Sequence, residues 1–163
     1  MTNSPSSAPA PDDVWVSVLR RTGVAAGAAL ALAIAWIHVI DQGGLLGLKD
    51  PAYLGWGFRA LEVTAVVCAV LLLTGRHRVG WLLAAGVAAG PLLGIIVSRS
   101  VGLPNATEDI GNWGETIGVA SMVVEAALLI VAAAALLTSS RSSVGREARV
   151  STRSSSAPEA VSA

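Results

Sequence analysis

This sequence has little charge and one cysteine, and each shortage excludes a class of protein. Charged residues make up 13% of the 163 residues, against roughly 25% in a typical soluble domain. Eleven cationic side chains balance eleven anionic ones, so the net charge is zero and no basic surface for nucleic acid is indicated. The lone cysteine, Cys68, excludes an intramolecular disulfide and a cysteine metal cluster, and its apolar neighbours predict a packing role.

The chain also lacks the sequence motifs that indicate catalysis or cofactor binding. It has no phosphate-binding glycine loop, no dinucleotide fingerprint and no nucleophile elbow. Its two histidines, His38 and His77, fall at opposite ends of the predicted helices, which argues against haem held by two histidines. A metal site of His38, Glu62 and Glu125 is conceivable but has no ligand spacing to support it. We therefore predict no enzyme activity, no cofactor and no metal centre.

Apolar residues, in contrast, are abundant and fall in long runs. They make up 53% of the chain, and the mean hydropathy is +0.66. Four runs, at 22–40, 53–74, 79–101 and 113–138, are each long enough to cross a bilayer as a helix. Because only helices and closed barrels satisfy their backbone in lipid, these runs predict an all-α protein, a four-helix transmembrane bundle.

The predicted domain organisation has three parts. Residues 1–21 are expected to form a disordered Ser/Pro/Ala-rich tail that ends in a short interfacial helix. Residues 22–138 form the transmembrane domain. Residues 139–163 form a disordered tail rich in serine and arginine. A cleaved signal peptide is the alternative for the first run, but the long leader with two acids disfavours it.

Arginine placement predicts the orientation in the membrane. Arginines flank the runs in the N-terminal tail, in the loop at 76–78 and in the C-terminal tail. The other two loops contain a single basic residue, Lys49. The positive-inside rule then puts both termini in the cytoplasm. One lysine against ten arginines suits a GC-rich bacterial genome, so we expect a bacterial inner membrane. The tryptophans expected at the outer interface are Trp36, Trp56 and Trp113, with Trp81 at the inner one.

Charged residues inside the apolar runs are the candidate functional groups. Arg59 and Glu62 lie three apart on one helix face, so they form either a local ion pair or part of a polar site completed by other helices. Glu125 lies about 18 Å along its run from Trp113, near the midplane. The residues predicted to form one intramembrane polar cluster are His38, Arg59, Glu62, Arg99, Glu115 and Glu125.

Glycines at helical spacing predict the packing faces. Small residues four apart allow two helices to approach closely in a membrane, either within one bundle or between copies of the chain. Pro91 falls inside the third run and should kink its helix. The glycines predicted to lie at helix contacts are Gly86, Gly90, Gly94, Gly114 and Gly118.

Three features resemble a known group. His38 near the end of the first run, VSRSVGLP at 97–104 and GETIGVASMVVEAAL at 114–128 are similar to small uncharacterised four-span bacterial integral membrane proteins. The second run and its basic turn resemble DoxX-like proteins more weakly. The first resemblance covers the membrane core and implies a four-span fold. It marks His38, Arg99 and Glu125 as recognisable positions but implies no activity.

Two functions follow as expectations. The first, and the favoured one, is an accessory or assembly subunit that packs in the bilayer against a membrane protein partner or another copy of itself. Small size, the glycine stripe and the lack of catalytic motifs favour it. The alternative is a small transporter or an ion- or proton-binding membrane protein that uses an outward-facing charge cluster. That alternative is favoured by the charges and by Pro91.

Overall fold

The chain folds into four α-helices. A computed structural model describes residues 11–155, with side chains described over 14–139. The helices are α1 Pro11–Asp41, α2 Ala52–Leu73, α3 His77–Ser100 and α4 Thr116–Ser155. Each contains a segment long and apolar enough to span a membrane, which confirms the predicted all-α fold with four candidate spans.

Glycines with positive φ end the first two helices. Gly75 has φ 86°, its N–H bonds to Leu72 O, and the following Arg76 N–H bonds to Leu71 O. Gly43 has the same φ after α1 and makes the equivalent contacts. This is the Schellman arrangement, which favours glycine because other residues are strained in the left-handed region. Two sharp helix ends follow, and the chain reverses at each.

The bundle is antiparallel. Helices adjacent in the chain pack together, α4 closes against α1, and α1 and α3 touch little across the diagonal. The C-terminal ends of α1 and α3 therefore lie beside the N-terminal ends of α2 and α4. This end of the bundle, with loops 42–51 and 101–115, is called the site end below.

Alanine fills the core where the glycine stripe was expected. Ala31, Ala65, Ala84 and Ala132 are fully buried, one from each helix. Small side chains let helix backbones approach in lipid, where there is little hydrophobic drive between helices. The core is therefore narrow, and its largest fully buried apolar side chains are Ile34, Leu72 and Leu128.

Four of the five glycines make no close helix contact within the bundle, so for them only the alternative contact, with another chain, stays a prediction. A Cβ added at Gly86, Gly90, Gly94 or Gly114 would meet nothing within 4 Å. At 100° per residue, Gly86 and Gly90 lie on the face of α3 opposite Ala88, which is in the core. Gly118 does pack closely, because a Cβ there would lie 3.1 Å from an Arg99 nitrogen.

The first and last helices extend beyond the predicted bounds of the transmembrane domain. α1 runs without a break through residues 20–22, so the interfacial helix and the first span are one element. α4 continues to Ser155, through the first part of the tail that was predicted to be disordered from residue 139. No proline interrupts residues 139–155, and their four arginines and Ala148 are good helix formers. The parts of both predicted tails at 1–10 and 156–163 lie outside the described residues.

Candidate functional site

A cavity of about 130 Å³ lies at the site end and is lined by all four helices and both loops. Apolar side chains such as Ile37, Phe58 and Ile95 line it together with polar ones. The polar and charged side chains that line it are His38, Asp41, Lys49, Ser98, Arg99, Asp109, Glu115, Ser121 and Glu125. Pro91 and Gly94 also line it, so the exposed glycine stripe ends at this cavity.

His38 and Glu125 meet across the bundle at this cavity. His38 Nε2 of α1 lies 3.4 Å from Glu125 Oε1 of α4, and the two residues are 6% and 1% exposed. Ser121, one turn before Glu125, donates its hydroxyl to Oε1 at 2.5 Å. Among the described residues, neither His38 ring nitrogen nor Glu125 Oε2 has a hydrogen-bond partner. Buried polar atoms are nearly always hydrogen-bonded, so these atoms call for a partner that the described residues do not supply.

Arg99 anchors the loop between α3 and α4. Its guanidinium pairs with Glu115 and lies 3.5 Å from Asp109, while its backbone carbonyl accepts the Gly111 N–H. Glu115 precedes the first residue of α4, so it reaches Arg99 from the loop rather than from within the fourth span as predicted. These contacts fold the loop over the cavity, and Tyr53 of α2 holds it with a hydrogen bond to Pro104 O.

A second ion pair, between Lys49 and Asp41, also lines the cavity. Lys49 Nζ lies 2.5 Å from Asp41 Oδ2 and 5.6 Å from the centre of the Phe58 ring. The same ring packs against His38, with ring centres 4.6 Å apart. Phe58, the only phenylalanine in the chain, therefore contacts both His38 and Lys49 at the site.

Arg59 and Glu62 form a separate contact and do not line the cavity. Arg59 pairs with Glu62 at 2.7 Å and donates to the carbonyls of Leu45 and Gly47 in the loop after α1. Gln42 donates to Glu62 Oε1. The prediction of one common cluster is thus wrong for these two residues, because loop 42–51, and not the cavity, supplies their other partners. The structure does bring His38, Arg99, Glu115 and Glu125 to one cavity.

Several residues of the site were missed by sequence reasoning. Asp41, Lys49 and Asp109 of the cavity, and Gln42 at the separate Arg59–Glu62 contact, lie in or beside loops whose paths no local pattern reveals. Asp109 carried a weak signal, since it follows Arg99 closely within an acidic stretch. Trp81 was expected at the membrane interface but is 6% exposed and lies against Gly27, whose missing side chain makes room for its ring.

Four apolar helices around a polar cavity fit a multi-pass membrane protein. Comparison with family models, with curated proteins and with solved structures finds no match to this chain.

Proposed function

We propose that this chain is a membrane protein that binds a small polar or charged ligand in the site-end cavity, as a small transporter or an ion- or proton-binding protein does. One observation carries the proposal. His38 and Glu125 are buried at the cavity, and both ring nitrogens of His38 and the Oε2 atom of Glu125 lack hydrogen-bond partners among the described residues. The proposal includes no catalytic step, no cofactor and no nucleic-acid partner.

The energetic argument is the cost of a buried acid in lipid. A charged side chain at a helix centre disfavours membrane insertion by roughly 2.5–3.5 kcal/mol, so such residues usually mark ion or substrate sites. A structural role alone would be served by paired atoms. Glu125 instead has one oxygen that accepts from Ser121 and one that faces no donor among the described residues.

Arginine placement supports an orientation with both termini in the cytoplasm of a bacterial cell and the cavity mouth on the other side. Arg76 and Arg78 lie at the α2–α3 turn, at the end of the bundle opposite the cavity. Arg20 and Arg21, in the N-terminal part of α1, are on the same side. The proposed orientation gives the cavity access from outside the inner membrane. Membership of the small four-span bacterial group is part of this proposal.

Cysteine accessibility tests the binding site directly. Ser121→Cys places a near-isosteric thiol at the cavity, while native Cys68 is fully buried and serves as the background. We expect a small water-soluble methanethiosulfonate to modify Ser121→Cys in the folded full-length protein and to leave the parent chain unmodified. Absence of reaction in folded protein would show a dry, closed void and reject the site.

The accessory or assembly subunit remains the second candidate, and a specific observation favours it. Gly86 and Gly90 form an exposed strip with open space beside it, and another membrane helix could approach closely there. Purification in mild detergent tests it. A co-purifying membrane protein lost on Gly90→Leu would support a subunit or an oligomer contact, whereas an unchanged isolated chain would reject it.

A further inference from the structure

The lining of the cavity carries more negative than positive charge. Two cationic side chains, Lys49 and Arg99, face four carboxylates, so the lining has a net charge of −2 when His38 is neutral. The four carboxylates are those of Asp41, Asp109, Glu115 and Glu125. A low-dielectric wall strengthens the field of such a surplus, so the cavity attracts cations and repels anions.

The unbalanced charge can be located. Lys49 is paired with Asp41, and Arg99 is shared by Asp109 and Glu115 at the mouth, where both acids are partly exposed. At the buried end, Glu125 has only Ser121 and His38 beside it. No lysine or arginine of the described side chains pairs with Glu125. The deeper position therefore lacks one positive charge.

We propose that the cavity binds a small ammonium-type cation, either ammonium or a short primary amine, against Glu125 and His38. This inference rests on the proposed function and names its ligand class. The ammonium would donate one hydrogen bond to Glu125 Oε2 and another to a ring nitrogen of His38, which are atoms without partners among the described residues. Phe58 offers an aromatic face to the same charge.

The size and donor set of the cavity narrow the ligand class. Its volume of about 130 Å³ is slightly below the ~150 Å³ of a cavity that holds one benzene, so only a few heavy atoms fit. Within the described residues, no group of three histidine, cysteine or acidic side chains is arranged to hold a metal ion. The apolar wall around Phe58 suits the methylene groups of a short amine.

Lys49 shows that the cavity already accommodates this chemistry. Its ammonium group, tethered by the loop, lies against a carboxylate and 5.6 Å from the Phe58 ring centre. The proposed ligand would likewise contact a carboxylate, that of Glu125, and the Phe58 ring, at the buried end of the cavity. Because Lys49 adds positive charge near the entry, Lys49→Gln should strengthen binding of a cation.

Thermal unfolding of the full-length protein in detergent, at constant ionic strength and pH, tests the proposal. The probes are ammonium, methylammonium and ethylammonium chloride, compared with potassium chloride, sodium acetate and ethanol. We expect dose-dependent stabilisation by the three ammonium salts only. Glu125→Gln should weaken the response roughly ten- to a hundredfold, the range for loss of a hydrogen bond to a charged group. Glu108→Gln, on the exposed loop, should respond like the parent.

Two further variants keep the test decisive if Glu125→Gln folds poorly. Phe58→Leu retains an apolar side chain and should weaken binding by roughly two- to fivefold through the lost aromatic face. With Ser121→Cys, the cationic aminoethyl methanethiosulfonate should react faster than the anionic sulfonatoethyl reagent. Equal rates would contradict the charge argument.

The outcomes separate the two proposals. Stabilisation by acetate instead of ammonium, or equally by potassium, would overturn the ammonium inference while a ligand site stands. Stabilisation by lower pH alone, with no response to any salt, would show that a proton supplies the missing charge and would also overturn it. No response to any probe, together with an unreactive Ser121→Cys, would reject the binding function itself.

Discussion

The imidazole of His38 lies 3.4 Å from the carboxylate of Glu125, and the two side chains come from the first and last helices of the bundle. The chain has 86 residues between them. The pair is formed only when α4 closes against α1, so it reports on the whole fold as well as on the site. The following predictions test the site, the packing and the orientation.

Removing the Glu125 side chain should destabilise the protein. Glu125→Ala leaves His38 and the Ser121 hydroxyl without their neighbour and enlarges the cavity, with an expected loss of roughly 1–3 kcal/mol. Thermal unfolding in detergent measures this loss. Glu108→Ala, on an exposed loop, is the matched control and should change little. Equal effects of the two substitutions would show that Glu125 makes no specific contact.

Two helical glycines should respond in opposite directions to alanine. A Cβ at Gly27 would lie 2.6 Å from Trp81 ring atoms, so Gly27→Ala should destabilise by roughly 1–3 kcal/mol. Gly90 has open space beside it, and Gly90→Ala should be neutral or stabilising by up to about 1 kcal/mol because alanine favours helix. Unfolding curves of the two variants give the comparison. A destabilised Gly90→Ala chain would mean that a second helix packs on this strip.

Arg59 should hold the loop after α1. Arg59→Ala removes the donor to the Leu45 and Gly47 carbonyls and leaves Glu62, which is 8% exposed, with Gln42 alone. We expect a loss of roughly 1–3 kcal/mol and faster amide exchange across residues 42–50. The double variant Arg59→Ala with Glu62→Ala should recover part of that loss. Fully additive losses would argue against a coupled pair.

Labelling of single introduced cysteines should fix the orientation. Leu46 is fully exposed at the site end, and Thr74 is exposed at the other end. The cells are treated so that the outer membrane is permeable and the inner membrane stays intact. A membrane-impermeant maleimide should then label Leu46→Cys, and should label Thr74→Cys only after the inner membrane is disrupted. The parent chain, with buried Cys68, is the blank. The reverse pattern would invert the proposed topology.

The four helices could be predicted from the sequence because the signal is local. A run of about twenty apolar residues meets the length of the bilayer whatever its neighbours are. The predicted second span, 53–74, differs from α2 Ala52–Leu73 by one residue at each end, since Pro51 and Gly75 mark its limits. The pairing of Arg59 with Glu62 also followed from spacing alone.

The helix faces were decided by the tertiary structure. Spacing puts Gly86 and Gly90 on one side of α3, but alanines such as Ala84 and Ala88 form a rival small-residue face, and only packing selects between them. Packing also decided that the Trp81 ring is buried inside the bundle, because Gly27 leaves room for it.

The site likewise divides between the two levels. The sequence by itself determined that buried acids need partners, because charge in lipid is costly wherever the helix stands. The sequence could not show that Arg59 and Glu62 lie apart from the cavity. Their partners, Gln42 and the loop carbonyls, depend on the path of the loop after α1. Only the closure of α4 on α1 brought Glu125 to His38 at one cavity, since no local pattern encodes contacts between distant helices.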